Sequence, residues 1–375
     1  MRPVASESPL SGLHRANGAQ FGEENGWNLP VHFGAPLQEH ETVRSQVGLF
    51  DRCHHSLFRF TGPDRVSYLH GMISNDVKAL APGEGIYAAF LDLHGKILAD
   101  TRVFCTADSF FLDLWEPLKE KILTHLNRYL IADDVEIADL TGQVGIISLQ
   151  GSKTLPLLNQ LLPSEEIPLK DLSHRTFPPA QAEVGLIRST HTGEQGFDLI
   201  VAVKDLVPLA LHIQEIGKKY SLRWVGTEAQ EILRIEAGIP RYGMDMDEDN
   251  LLLETGLDHA VSFQKGCYLG QEVVERIRSR GHVNKKLVGM VLEGYTPAEP
   301  ADKIFAGEKE IGRVTSSVLS PAMKRPIALG YVHRDYLQPG TRITVDRNGK
   351  PIPAVVSTLP FYKPAPPLET RQELR

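Results

Sequence analysis

A lone cysteine, Cys267, lies in the run Phe263-Gln264-Lys265-Gly266-Cys267-Tyr268-Leu269-Gly270-Gln271-Glu272, two residues after a lysine. Gly270 opens an apolar-periodic stretch through Val273, Val274 and Ile277, so the sulfur would sit between an ammonium and a helix N-terminus, a setting that favours a reactive thiolate. A small buried cysteine in a turn is the alternative. Two carboxylates could bind or orient a ligand. Glu194 stands in Thr190-His191-Thr192-Gly193-Glu194-Gln195-Gly196-Phe197-Asp198, where glycines permit close approach and the carboxylate suits a heterocycle with paired N–H donors. An exposed Glu in a hairpin turn is the competing reading. Asp100 ends the run Gly95-Lys96-Ile97-Leu98-Ala99-Asp100, where it could orient an amine or stabilise an iminium, or simply face solvent. Arg276, Arg278, Arg280, Lys285 and Lys286, with His282 among them, could hold a polyanion or form a solvated helix end.

The elements that position these residues follow from periodicity. Residues 57–64 read as a strand entering a Gly-Pro turn, with Val66, Leu69 and Ile73 on one helical face beyond it. Residues 146–153 repeat the pattern, followed by Leu155, Leu158 and Leu161, which suggests either a duplicated α+β module or a coincidence. Residues 85–93 and 96–104 read as a hairpin, 110–114 as a strand, 116–129 as a helix, and 230–238 as a helix stopped by Gly238 and Pro240. From about residue 285, strands at 287–292, 311–317, 327–332, 342–345 and 354–357 predict a small β-barrel or sandwich. The expected divisions are a mobile tail at 1–20, modules at 21–140 and 141–284, a barrel at 285–358, and a frayed tail at 359–375.

With 375 residues, 42% hydrophobic and 23% charged, the chain suits several domains of an ordinary soluble protein. A net charge of −7 disfavours direct nucleic-acid binding by the surface as a whole. Three dispersed cysteines, Cys53, Cys105 and Cys267, fit neither a disulfide framework nor a thiolate zinc site. The cluster Asp51-Arg52-Cys53-His54-His55 lacks ligand spacing, so no metal is expected there. No apolar run reaches the ~18 residues of a membrane span, and the expected location is cytoplasmic.

In order along the chain, Trp27-Asn28-Leu29-Pro30-Val31-His32-Phe33, Gly48-Leu49-Phe50-Asp51, Ser74-Asn75-Asp76-Val77, the segments 95–100 and 192–197, and Leu233-Arg234-Ile235-Glu236-Ala237-Gly238-Ile239-Pro240 form a recognisable series. Gly312-Arg313-Val314-Thr315-Ser316 and Ala328-Leu329-Gly330-Tyr331-Val332 complete it. The chain thereby resembles the tetrahydrofolate-binding T-protein family of the glycine cleavage system over residues 21–345. The resemblance implies an α+β fold: two related α+β modules and a C-terminal β-barrel in a ring around a central folate cavity. It implies tetrahydrofolate or a one-carbon derivative as cofactor, with Glu194 gripping the pterin and Asp100 near the accepting nitrogens. Asn75, Tyr87, Arg234 and Arg313 would lie around the folate. The run Lys265-Gly266-Cys267-Tyr268-Leu269-Gly270-Gln271-Glu272 resembles the signature of the YgfZ-type branch of these folate binders. That likeness implies work on iron–sulfur client proteins, with Cys267 and Lys265 beside the folate. The alternative is a folate-dependent aminomethyltransferase served by a lipoyl carrier protein.

Overall fold

Apolar-rich strands build the first sheet, in which Gly85–Leu91, Ile97–Cys105, Phe110–Trp115, His55–Thr61 and Glu136–Asp139 lie side by side in that order, all antiparallel. The computed structural model describes residues 5–163, 166–177 and 185–364. Helices Arg65–Met72 and Lys119–Tyr129 cover one face, burying Leu69, Ile122 and Leu126 against Phe58, Phe60 and Phe90. The second sheet runs His174–Arg175, Leu186–Arg188, Gly196–Ala202, Val144–Gln150, Gly48–Asp51, Arg223–Trp224. Helices Thr154–Leu161 and Val203–Gly217 pack Leu157, Leu158, Leu206 and Leu209 on it. The sheets meet face to face, Leu57, Phe104 and Phe111 against Ile146, Ile187 and Ile200. Val144–Gln150 is therefore buried on both sides, which is why its sequence does not alternate.

The strand–glycine–helix unit recurs in the two sheets. Gly62 and Gly151 both have positive φ, and a Cβ would meet the Asp134 carbonyl oxygen at 2.2 Å in one and that of Gln46 at 2.4 Å in the other. Chain order and sheet membership differ, however. Gly48–Asp51, ahead of the first module's strands, belongs to the second sheet, while Tyr242, Leu252, Leu257, Tyr268 and Val274 pack into the first core. The segment closing the chain is a barrel rather than a sandwich: Lys285–Leu292, Arg325–His333, Lys309–Ser320, Lys303–Ala306, Arg342–Arg347 and Lys350–Ser357 form a closed ring. The strand Lys303–Ala306 escaped the sequence reading because only Ile304 of its residues is buried and a bulge between Ile304 and Phe305 breaks the alternation.

The expectation of a mobile N-terminal tail is corrected for residues 5–20, residues 1–4 lying outside the described residues. A helix at Ser11–Ala16 buries Leu10 and His14 completely, and His14 Nε2 lies 2.7 Å from the Asp51 carboxylate, to which Ser8 also donates. The apolar spacing of Leu10 and Leu13 is too short to stand out as a helix in sequence. Leu10→Ala is expected to cost about 2–5 kcal/mol in chemical denaturation, the usual range for emptying a core leucine; a loss below about 0.5 kcal/mol, typical of surface changes, would contradict the anchoring. At the other end, Leu359 and Phe361 pack beside Ile235, Leu287 and Leu329 instead of fraying. Residues 365–375 of that expected tail lie outside the described residues.

Candidate functional site

The strand Ile97–Cys105 alternates so that Ile97, Ala99 and Thr101 are buried while Leu98, Asp100 and Arg102 are partly open. Asp100 and Arg102, with Ile239 and Pro240, form the boundary between two cavities. The narrower, about 130 Å³, is walled by Trp27, Trp115, Tyr242, His54, His55 and His191 and floored by buried Arg52 and Arg234. The wider, about 750 Å³, draws Asn75, Tyr87 and His259 from around the first sheet, Ser189 and Thr190 from the second, and Lys286, Val288 and Leu359 from in and beside the barrel. All three parts of the chain thus contribute to the wide cavity.

Asp100 is held by its neighbour. The Tyr87 hydroxyl donates to Asp100 Oδ2 at 2.5 Å, and burial together with the Asp100 charge pushes the Tyr87 phenol well above its ordinary pKa, so it remains a donor. Asn75 Nδ2 fixes this strand by donating to the carbonyl oxygens of Tyr87, at 2.8 Å, and His259, at 2.9 Å. One edge of Asp100 is thereby committed while the residue still lines both cavities.

Beneath the narrow cavity lies a buried network that sequence reading missed. Asp113 bonds to His55 Nδ1 at 2.7 Å and accepts from Arg102 at 3.3 Å, with Arg52 at 3.5 Å. Burial alone would raise its pKa; His55, Arg52 and Arg102 instead hold it well below the carboxylate range. Asp198 faces His191 Nε2 at 2.9 Å and Arg52 at 4.0 Å. Burial opposes its ionisation, yet His191 and Arg52 bring it to about 2. Burial and the cations of Arg52 and Arg102 push His191 down to about 4, so the imidazole is neutral at pH 7, and its Nδ1 lies 3.3 Å from an Arg102 nitrogen. The available signal was spacing: His191 and Asp198 flank the glycine-bracketed loop, but only tertiary structure shows that they pair.

The expected convergence of Asp100, Glu194 and Cys267 on one hollow does not occur. Glu194 lines neither cavity. It is buried against Arg44, whose guanidinium donates to Glu194 Oε1 at 2.9 Å and Glu236 Oε2 at 2.5 Å. Cys267 is exposed and outside both cavities. Lys265 does not serve the thiol: its ammonium donates to the carbonyl oxygens of His70 and Ile73 at 2.6 Å and of Asn75 at 2.9 Å, exhausting its three donors at the end of helix Arg65–Met72. Burial there lowers the Lys265 pKa to about 8. The predicted helix does begin after Gly270, at Gln271–Arg280, packed so closely on the 92–95 turn that a Cβ on Gly270 would stand 2.5 Å from the Asp92 carbonyl oxygen.

Arg234 lines the narrow cavity, but all five of its donors are spent within the protein, on Glu231, Asp245, Ser316 and the Ile239 carbonyl. Asp245 also accepts from Thr315 at 2.5 Å, so Arg234 ties helix Thr227–Glu236 to the barrel. Arg313 is exposed and touches neither cavity. Of the basic run, Arg276 and Arg278 are exposed, Lys285 and Lys286 lie 3.8 and 3.6 Å from Glu254 and Asp258, and among the described side chains Lys286 alone reaches the wide cavity. Among the described residues no group of His, Cys, Asp and Glu is placed to hold a metal, and no helix is long and apolar enough to cross a membrane.

An interleaved pair of α+β sheets joined to a closed six-stranded barrel, with a carboxylate on the boundary of two cavities, defines a known class. Residues 10–265 match the family model described as the GCVT N-terminal domain, and residues 285–363 that of the glycine cleavage T-protein C-terminal barrel domain. The chain belongs to the glycine cleavage T-protein family. It is similar to an aminomethyltransferase of Rubrobacter xylanophilus, 32% identical over 366 residues that cover 96% of this chain and 95% of the relative. An aminomethyltransferase of Geobacillus sp. is 31% identical over 371 residues, covering 96% and 100%. The crystal structure of glycine cleavage system aminomethyltransferase T from Bartonella henselae superimposes with a TM-score of 0.88 at 27% identity, covering 96% and 98%.

Proposed function

We propose that the chain is a tetrahydrofolate-dependent aminomethyltransferase acting on an aminomethylated lipoyl carrier protein. The observation that carries this reading is Asp100, bonded to Tyr87 at the meeting point of the two cavities, in a chain aligned over nearly its full length with proteins of that name. The family uses tetrahydrofolate, and the residues present suit it. The narrow cavity offers aromatic walls at Trp115 and Tyr242 with polar groups at His191, Arg52 and Asp100, as a flat amino-heterocycle requires. Lys286 in the wide cavity suits the carboxylates of a glutamyl tail.

Folate would supply the nitrogen that accepts the one-carbon unit, with ammonia released from the carrier arm. Asp100 orients the reacting amine and stabilises the positive charge that develops beside it. Tyr87 keeps the carboxylate in one rotamer. Asp198 supports the heterocycle indirectly, by holding His191 at the wall of the narrow cavity, while Glu194 is engaged by Arg44. The test is ammonia release from an aminomethylated carrier in the presence of tetrahydrofolate; no release by the intact protein would remove this reading.

A second reading, the maintenance of iron–sulfur client proteins, draws on one observation: Cys267 is exposed within its long Lys-Gly-Cys-Tyr-Leu-Gly motif. A single thiolate needs further ligands from a client to hold a cluster. The two readings separate on one variant. Cys267→Ala is expected to leave ammonia release within about twofold of the parent, since the sulfur is outside both cavities. Loss of client iron–sulfur enzyme activity in cells carrying only that variant would favour the second reading.

A further inference from the structure

The last barrel strand ends at Ser357, yet the chain then returns over the hollow. Leu359 lines the wide cavity and rests on Gly238, where a Cβ would come within 3.0 Å of it; Phe361 sits 2.7 Å from the corresponding position on Gly289. Among the described residues beyond Ser357, one backbone–backbone hydrogen bond is made, from Tyr362 N to the Glu236 carbonyl oxygen at 3.1 Å. The Tyr362 side chain does more. Its ring centroid lies 3.9 Å from the Arg44 guanidinium carbon, and its hydroxyl lies beside the Glu194 carboxyl.

Arg44 in turn holds the loop that follows His191, donating to the Thr192 carbonyl oxygen at 3.2 Å and to Glu194 at 2.9 Å. That loop presents Thr190 to the wide cavity and His191 to the narrow one. An ion pair open to water holds a loop weakly, whereas one covered by an aromatic face gains both a cation–π contact and exclusion of solvent. The Arg44 side chain is only 11% exposed under this cover.

We propose that Tyr362 is a positioning residue for both cavities: by roofing Arg44 it keeps the Arg44–Glu194 pair dry and so fixes the loop from Thr190 to Gly196. This gives Glu194 a loop-fixing role in place of the direct ligand contact that sequence reading assigned to it. It also joins the end of the chain to the cavity wall 170 positions earlier in sequence, between Tyr362 and Thr192.

Amide hydrogen exchange of the ligand-free protein tests the arrangement without reference to any reaction. In Tyr362→Ala, exchange at Gly193 and Glu194 is expected to accelerate by about fivefold or more, the equivalent of one lost cation–π contact, with the barrel strand Lys285–Leu292 unchanged. Tyr362→Phe, which keeps a ring over Arg44, should restore most of the protection. Unchanged loop exchange in Tyr362→Ala overturns the proposal, and so does equal acceleration in loop and barrel, which would indicate general destabilisation. The ligand arm rests on the folate reading: calorimetric titration with 5-formyltetrahydrofolate should show weaker binding to Tyr362→Ala and recovery in Tyr362→Phe. If the intact protein bound no folate, the proposed function would fall while the exchange result still decided the role of Tyr362.

Discussion

Asp100→Asn is expected to lower the turnover number for ammonia release by about 10²–10⁴-fold, the span associated with a positioned acid–base group. The substitution preserves shape and still accepts from the Tyr87 hydroxyl, so folate affinity should change little, and the loss should appear in kcat rather than in KM. Tyr87→Phe should give a smaller loss, because Asp100 keeps its charge but gains rotamer freedom. Single-turnover ammonia release with a lipoyl carrier measures both. An Asp100→Asn enzyme retaining more than a tenth of parental turnover would mean that the carboxylate at the junction of the cavities is not part of the chemistry.

The largest effect on stability is expected from Asp113→Ala. Arg52, Arg102 and His55 converge on this carboxylate in the buried space beneath the cavity, and removing it leaves two cations without their nearest counter-charge. Breaking such a pair from one side costs about 3–5 kcal/mol. Urea denaturation reads it directly, and a loss below about 1 kcal/mol, expected only of an exposed pair, would show the network to be open to solvent. Buried carboxylates, two in this network and Glu236 beside His40 and Arg44, fix the response to acid. Asp113, Asp198 and Glu236 have folded pKa values depressed below the unfolded range, the latter two to about 2. Their stabilisation is present above the unfolded carboxylate range and is lost as pH falls through the folded values. His191 acts in the same direction at higher pH: with its pKa moved from 6.5 to about 4, the unfolded chain takes up a proton in that interval and the folded one does not. The melting temperature should therefore decline from pH 6.5 to 4, and His191→Gln should flatten that limb of the curve.

How much of this was legible in sequence depended on whether a residue's direction is set locally. Asp100 was readable because a strand with period two gives every side chain a face once its buried neighbours are known. Most barrel strands and the hairpin around residue 93 were readable from the glycines and prolines that punctuate the turns between them. Glu194 and Asp198 lie only four residues apart, and nothing local distinguishes the carboxylate under the cavity from the one facing Arg44, 150 positions away. Lys265 was misread because closeness in sequence says nothing about where a long side chain turns; its three acceptors are about 190 residues upstream. His55, Arg52 and Asp113 had no recognisable spacing at all, since the network exists only where Phe110–Trp115 pairs with His55–Thr61. The fold was thus more legible than the site, whose polar groups take their orientation from distant strands.

The interleaving of the two sheets bears on how the molecule can be made. A nascent chain that has exposed its first 140 residues still lacks Tyr242, Leu252, Tyr268 and Val274, which complete the core beneath the first sheet, while Gly48–Asp51 waits for Val144–Gln150 before it has a neighbour to pair with. The first sheet's core cannot be finished until Val274 has emerged, about three quarters of the way along the chain, and the second sheet not until Arg223–Trp224, about three fifths, whereas the barrel, contiguous from Lys285 to Ser357, can close as soon as its own last strand is free.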